Sequence, residues 1–265
     1  MSAKRTSKQT SRSVRRVLVT RATEQAPDLT QALHKLGFEP VVVPTIEIVA
    51  PPSFAALDQA IAELDHVDYL ILTSVNSVTA FFDRLTALGL DVNALAKLQT
   101  VAVGPKSAEA ITARGVKADL VPEDYRAEGV VALLKEQVSG KRLLYPKAAL
   151  ARDLITAELT AVGAEVIAPV AYASAVPADA AENLRMALVD GLDLLTFTAS
   201  STVQNFVDLL SAENLRLAKQ IPVASIGPLT SATAEKLGFT VVIEPDNATL
   251  DDMVEAIEKY ASGTE

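Results

Sequence analysis

Residues 35–49 read KLGFEPVVVPTIEIV and residues 161–174 read AVGAEVIAPVAYAS. Laid over one another they pair Gly37 with Gly163, Glu39 with Glu165 and, one gap later, Pro44 with Pro169. In both copies a β-prone run passes a proline and continues into further β-prone residues instead of turning into a helix. The likeness extends outward along the whole chain at an offset of 123–126 residues. DYLILTSVNSVTAFF from Asp68 overlies DLLTFTASSTVQNFV from Asp193, VAVGPKSA from Val101 overlies ASIGPLTS from Ala224, and RVLVTRA from Arg16 overlies RLLYPKA from Arg142. The chain is an internal duplication.

Within each copy, short apolar runs alternate with longer stretches of helical spacing, the pattern of parallel strands joined by crossover helices. Ten strands are expected: Val17–Thr20, Pro40–Val43, Tyr69–Thr73, Thr100–Val103, Ala118–Val121, Arg142–Tyr145, Glu165–Ala168, Leu194–Thr198, Val223–Ile226 and Thr240–Ile243. Leu29, Leu33 and Leu36, or Val78, Phe81, Phe82 and Leu85, form the apolar stripes of covering helices. Gly37, Gly89, Gly115, Gly163 and Gly238 fall where those helices should end. The fold class is α/β, with two Rossmann- or flavodoxin-like parallel sheets.

The runs beyond Pro44 and Pro169 read as linkers near 45–50 and 170–176, and two such strands side by side would form a two-stranded β-ladder. If each sheet takes five strands, the first two strands of the chain join the last three. Domain 1 is then residues 15–45 plus 177–265, and domain 2 is residues 46–176. Two sequential domains split near residue 140 satisfy the same connection rules, so the linker runs alone leave both arrangements open.

The chain has 265 residues, 49% of them hydrophobic, which is enough for two cores. Without cysteine it has no disulfide, thiolate metal site or nucleophilic thiol. Six of its 24 Lys and Arg lie in residues 1–16, which hold no acidic residue, so the remainder sets 18 basic against 33 acidic residues. A body of net charge −15 argues against a nucleic-acid surface, and residues 1–14 read as a disordered basic tail. No apolar run suits a signal peptide or a membrane span, and the expected setting is the cytoplasm.

In open parallel sheets ligands bind at the carboxyl ends of the strands. The loops there include Thr20-Arg21, Thr73-Ser74-Val75-Asn76, Gly104-Pro105-Lys106-Ser107, Pro122-Glu123-Asp124-Tyr125, Pro146-Lys147, Thr198-Ala199-Ser200-Ser201, Gly227-Pro228-Leu229-Thr230-Ser231 and Pro245-Asp246-Asn247. Several set a small or hydroxyl residue before a helix start, whose first backbone N–H groups lack partners and carry partial positive charge. Any one of these hydroxyls could simply cap its helix. Two families of them, related by duplication, would face one another if the halves close like jaws and would then suit a ligand with many anionic groups, with Arg21, Lys106 and Lys147 nearby. His34 and His66 fall at the other ends of the strands, so neither a metal nor a Ser–His site is expected. Neither nucleotide-binding glycine pattern is present, and no cofactor is expected.

Taken in order, Thr20-Arg21, VVVPTIEI, ILTSVNSV, VAVGPKSAEAI, LLYPKA, APVAYAS, TFTASSTVQNF and ASIGPLTSATAEKLG resemble the uroporphyrinogen-III synthase family over residues 15–260. The resemblance implies the discontinuous arrangement, two α/β domains joined by a β-ladder. It also implies an enzyme, a hydro-lyase that closes the linear tetrapyrrole hydroxymethylbilane while inverting its last ring; nothing in the sequence demands more than a monomer. That substrate bears eight carboxylates.

By the same resemblance, Tyr172 in the second linker stands closest to a catalytic role, assisting departure of the hydroxyl. Thr230 matches a substrate-binding threonine and Ser200 a nearby serine, with Ser201 beside it. Ser74, Gly104, Ser107, Gly227 and Leu229 would supply mainly backbone donors. Arg21 and Lys147 are the least constrained choices, because the family does not hold its cleft cations constant. The competing reading is a non-catalytic two-lobed α/β binding protein for an anionic small molecule.

Overall fold

The computed structural model describes residues 14–263; the expected basic tail therefore lies almost wholly outside the described residues. The elements in chain order are β1 (Arg16–Val19), α1 (Ala26–Lys35), β2 (Glu39–Val42), β3 (Glu47–Val49), α2 (Ala55–Ala62), β4 (Tyr69–Leu72), α3 (Val75–Ala87), β5 (Gln99–Ala102), α4 (Pro105–Ala113), α5 (Ala127–Leu134), β6 (Arg142–Leu144) and β7 (Lys147–Ala148). They continue with α6 (Leu154–Ala161), β8 (Glu165–Ile167), β9 (Val170–Ala175), α7 (Ala180–Val189), β10 (Leu194–Phe197), α8 (Ser200–Leu209), α9 (Ala212–Ala218), β11 (Val223–Ser225), α10 (Pro228–Lys236), β12 (Val241–Ile243) and α11 (Leu250–Ser262). Two compact units emerge. Unit 1 combines the chain up to Glu47 with Ala175 onward, and unit 2 is Ile48–Ser174.

Unit 1 carries a five-stranded sheet of order β12-β11-β10-β1-β2, parallel throughout. Unit 2 carries a four-stranded parallel sheet of order β5-β4-β6-β8. The expected strand Ala118–Val121 is not formed. Only Leu120 bridges Val101, on the outer edge of β5. The segment leaves α4 with its backbone satisfied by the one strand beside it, Ala102 N–H donating to Leu120 O at 2.9 Å and Leu120 N–H to Thr100 O at 3.1 Å. That bridge occupies the place β12 takes in unit 1, so the two sheets share one plan.

Helices cover both faces because the central strands are apolar on both sides. In β4, Leu70 and Leu72 pack with Leu57, Ile61, Phe81 and Leu85 of α2 and α3, whereas Tyr69 and Ile71 pack with Val130, Leu134, Ile155 and Leu159 of α5 and α6. β10 repeats this, with Leu195 and Phe197 toward Leu184 and Phe206, and Leu194 toward Leu29, Leu33 and Ile257.

The duplication survives as individual hydrogen bonds at the amino ends of the central strands. Asp68 Oδ2 accepts from Arg142 N–H at 2.9 Å and Asp193 Oδ2 accepts from Arg16 N–H at 2.8 Å. Each aspartate also donates its own N–H to the same arginine's carbonyl, at 2.8 and 2.9 Å. One short side chain thus fixes where the two central strands of each sheet begin.

The expected two-stranded ladder is a three-stranded sheet of order β3-β9-β7. Its extra member is only two residues long, and β7 runs parallel to β9 with Lys147 opposite Val170 and Ala148 opposite Tyr172. The chain passes from one unit to the other within β3 and again within β9. The first passage is anchored in unit 1, where buried Thr45 donates its N–H to Thr20 O at 3.1 Å and accepts at its carbonyl from Asn205 Nδ2 at 2.9 Å.

Candidate active site

In both sheets the strand order reverses beside the central strand, between β4 and β6 in unit 2 and between β10 and β1 in unit 1. Crevices open at the carboxyl ends of strands that flank such a reversal, because the two following helices leave on opposite faces. Just beyond β4 and β6 stand Ser74 and Lys147, the latter opening β7; just beyond β10 and β1 stand Ser200 and Ser201, which open α8, and Arg21.

In unit 2, Ser74 begins α3 as its N-cap. Its Oγ accepts from Ser77 N–H at 3.0 Å, and Ser77 Oγ accepts from Ser74 N–H at 3.0 Å, a reciprocal capping box. The same Ser74 Oγ lies 2.9 Å from the Tyr172 hydroxyl. Either hydroxyl can be the donor in this contact, since the Ser74 oxygen keeps a second acceptor site beside the one Ser77 N–H uses. Tyr172 is held from behind, its carbonyl accepting from Ala149 N–H at 3.0 Å, and only 9% of the residue is exposed. Burial raises the phenol pKa above its ordinary value, the Ser74 hydrogen bond opposes that shift, and buried Tyr145 nearby adds to it. Tyr172 is therefore a neutral phenol throughout the physiological range.

Around this pair are donors without partners. The N–H groups of Val75 and Asn76 in α3, and of Lys106 and Ser107 in α4, make no hydrogen bond among the described residues. Gly104 is the N-cap of α4 with Pro105 at the first helical position, where a missing N–H costs nothing. Lys147, by contrast, is not a free cation. It forms an ion pair with Asp153, and its side chain is 15% exposed.

In unit 1 the same grammar recurs. Gly227 and Pro228 begin α10, and the N–H groups of Ser200 and Ser201 in α8 and of Leu229 in α10 are unpaired among the described residues. Ser200 is not an N-cap, since Ala199 holds that position. Its hydroxyl instead donates to Leu229 O at 3.0 Å and accepts from Thr233 Oγ1 at 2.9 Å, tying α8 to α10. Thr230 is buried in the first turn of α10, while Leu229 beside it is 83% exposed. A chain of hydroxyls from Ser225 through Ser231 to Glu244 braces this turn, and no sequence pattern announced it. Arg21 is half-buried, with Nε buried and unpartnered and one terminal nitrogen 3.5 Å from Gln25 Oε1. Burial lowers its pKa from the ordinary guanidinium value, partly offset by Asp28, and leaves it a cation with donor capacity to spare.

Ser74 and Tyr172 thus form one cluster with Gly104, Ser107 and Lys147 on the same sheet edge, and Ser200, Leu229 and Thr230 form another with Gly227. Tyr125, exposed in the loop after the Leu120 bridge, lies in one of the carboxyl-edge loops expected from the sequence but was not among the candidate site residues, although the offset that pairs Gly104 with Gly227 also pairs it with Ala248. A groove of about 430 Å³ lined by Asp58, Ile61, Leu88 and Leu90 lies where helices lead back into strands, away from these loops. No group of three or more His, Cys, Asp or Glu among the described residues is placed to hold a metal ion, and no described helix is long and apolar enough to cross a membrane.

The profile described as uroporphyrinogen-III synthase HemD matches residues 13–255. The uroporphyrinogen-III synthase of Synechococcus elongatus is 37% identical over 255 residues, spanning 94% of this chain and 96% of that protein. Among solved structures, a mutant uroporphyrinogen III synthase from the extremely thermophilic bacterium Thermus thermophilus shares the fold with a TM-score of 0.63 at 21% identity, covering 94% of this chain and all of the other. The uroporphyrinogen-III synthetase of Helicobacter pylori does so with a TM-score of 0.60 at 18% identity, covering 91% and 97%. The chain therefore belongs to the uroporphyrinogen-III synthase family, HemD, and is a cyclising hydro-lyase of tetrapyrrole biosynthesis.

Proposed function

We propose that the reaction is closure of hydroxymethylbilane with inversion of its last ring, and that Tyr172 is the acid that releases the hydroxyl. The observation that carries the assignment is the 2.9 Å contact between a buried, neutral phenol and the serine hydroxyl that caps α3. Ser74 donates to the phenol oxygen, leaving the phenol proton free for the substrate and meeting the charge that develops as it departs.

The steps balance as one dehydration. Tyr172 protonates the hydroxymethyl oxygen, the C–O bond breaks and water leaves, giving an azafulvene-type electrophile. The substituted carbon of the last ring attacks it to form a spiro intermediate, which fragments and recloses with that ring reversed. The proton released on rearomatisation returns to the phenolate. Nothing is oxidised or reduced.

Eight substrate carboxylates call for donors, and the unpaired N–H groups of α3, α4, α8 and α10 suit them, with Arg21 as the cation that has donors to spare. Ser107, Ser201, Gly227, Leu229 and Thr230 bind, in this reading, largely through backbone and hydroxyl groups. Since the linear substrate also closes spontaneously without inversion, much of the catalytic task is to hold one folding of it. The test is a coupled assay with hydroxymethylbilane, scoring the III against the I isomer. Excess III isomer is expected, and the spontaneous ratio would overturn the proposal.

A further inference from the structure

Tyr125 and Ala248 stand 123 residues apart, the same offset as Gly104 and Gly227, and each packs on the corresponding glycine. A Cβ added at Gly227 would meet Ala248 Cβ at 3.2 Å; one added at Gly104 would meet Tyr125 Cβ, Cγ and Cδ1 at 3.1, 3.2 and 3.4 Å. In unit 1 a methyl completes this contact. In unit 2 the root of a tyrosine does so, and the residue remains 59% exposed. The ring beyond Cδ1 is surplus to what the packing requires.

The loop that presents the ring is firmly built. Arg126 donates through Nε and a terminal nitrogen to both Asp124 carboxylate oxygens at 2.7 and 2.8 Å, and its N–H donates to Asp124 O at 2.8 Å. A Cβ at Gly129 would fall 1.9 Å from Asp124 O, so only glycine lets the first turn of α5 come this close. An aromatic on a loop whose backbone is already fixed loses less freedom when it binds. It stands at the carboxyl edge of the sheet, over the start of α4 where the Lys106 and Ser107 N–H groups are unpaired.

We propose that the outward face of Tyr125 packs against one pyrrole ring of the linear tetrapyrrole, making Tyr125 a specificity-determining residue that helps select the folded form leading to the III isomer. The inference rests on the function proposed above. Aromatic faces pair in offset or edge-on geometry, and an electron-rich pyrrole suits the edge or offset face of a phenol ring. The carboxylates attached to that ring would then lie near the free N–H groups of α4.

The experiment compares Tyr125→Ala and Tyr125→Phe with the wild type in the isomer-resolved assay. Tyr125→Ala is expected to raise KM by about 3- to 10-fold and to lower the III share of product, with a smaller change in kcat. Tyr125→Phe is expected to keep wild-type values, because the face and not the hydroxyl makes the contact. An exposed ring contributes little to folding, so the unfolding midpoint of the alanine variant should stay within about 2 °C of wild type. An alanine variant equal to wild type in KM and isomer ratio overturns the inference while leaving the enzyme's reaction intact, as does a phenylalanine variant as impaired as alanine. A wild-type protein that leaves the spontaneous isomer ratio would instead remove the underlying reading, and the inference with it.

Discussion

The Tyr172 hydroxyl and Ser74 Oγ lie 2.9 Å apart although 98 residues separate them in the chain. The contact joins a residue inside β9 to the N-cap of α3, which follows β4. Tyr172→Phe should lower kcat by roughly 10- to 100-fold with little change in KM, the signature of a group needed in the transition state. Ser74→Ala should give a smaller loss, about 3- to 10-fold, since it removes the partner of the developing phenolate, together with the side-chain cap of α3. Steady-state kinetics decide it, and undiminished turnover in the phenylalanine variant would end the acid role.

The pH dependence follows from the sign of the Tyr172 shift. Burial disfavours the phenolate and raises its pKa, so the reactive neutral phenol persists to higher pH than for a free tyrosine. Turnover should show no alkaline loss assignable to Tyr172 below about pH 10. Ser74→Ala removes the one influence that lowers this pKa and should displace any alkaline limb further upward. A limb that moves down in that variant contradicts the assignment.

Lys147 is neutralised by Asp153. Releasing it should help an anionic substrate, so Asp153→Asn is expected to lower KM by about 2- to 3-fold, the scale of a partly exposed ion pair. An unchanged KM in a substrate titration would show that Lys147 does not face the substrate.

Asp68 accepts from the Lys141 ammonium and from Arg142 N–H, and these hold its carboxyl pKa below the usual range. A depressed carboxylate stabilises the fold above its unfolded pKa and loses that contribution as pH falls through the folded value. Asp68→Asn should cost about 1 kcal/mol at neutral pH, discounted for exposure, and the difference from wild type should shrink below about pH 4. Denaturant titrations at several pH values check both statements.

Residues 48–174 contain a complete four-stranded sheet with helices on both faces. Limited proteolysis is expected to release a folded fragment close to these bounds. A stable fragment ending near residue 140 would mean that β6 and β8 are dispensable to that core.

The fold was legible because the duplication and the double-sided apolar runs are written in local sequence. Each copy supplied a template for the other, down to Gly104 over Gly227. That template failed at Ala118–Val121, where the strand seen in the second copy as β12 shrinks to the Leu120 bridge. Whether a short edge segment zips up depends on its neighbour's backbone, which propensity does not record. Lys147-Ala148 was missed as a strand for the same reason: two residues have no period. At the site, the helix starts and their spare N–H groups could be read from Gly-Pro and Ser signals. The Ser74–Tyr172 contact, the ion pair on Lys147 and the packing of Tyr125 on Gly104 depend on groups that meet only after folding; for the first two no spacing in the chain encodes them.

β1 is among the first segments of the chain, yet its neighbours in the sheet are β2 and β10, with Val17 opposite Leu194. At ribosomal speeds of about 5–20 residues per second, β1 waits roughly ten to thirty seconds for β10 to be made. All of unit 2 has been synthesised by then. The insertion is therefore complete as a chain before the unit that brackets it can close its sheet: the middle of this protein is available to fold before its outer unit is.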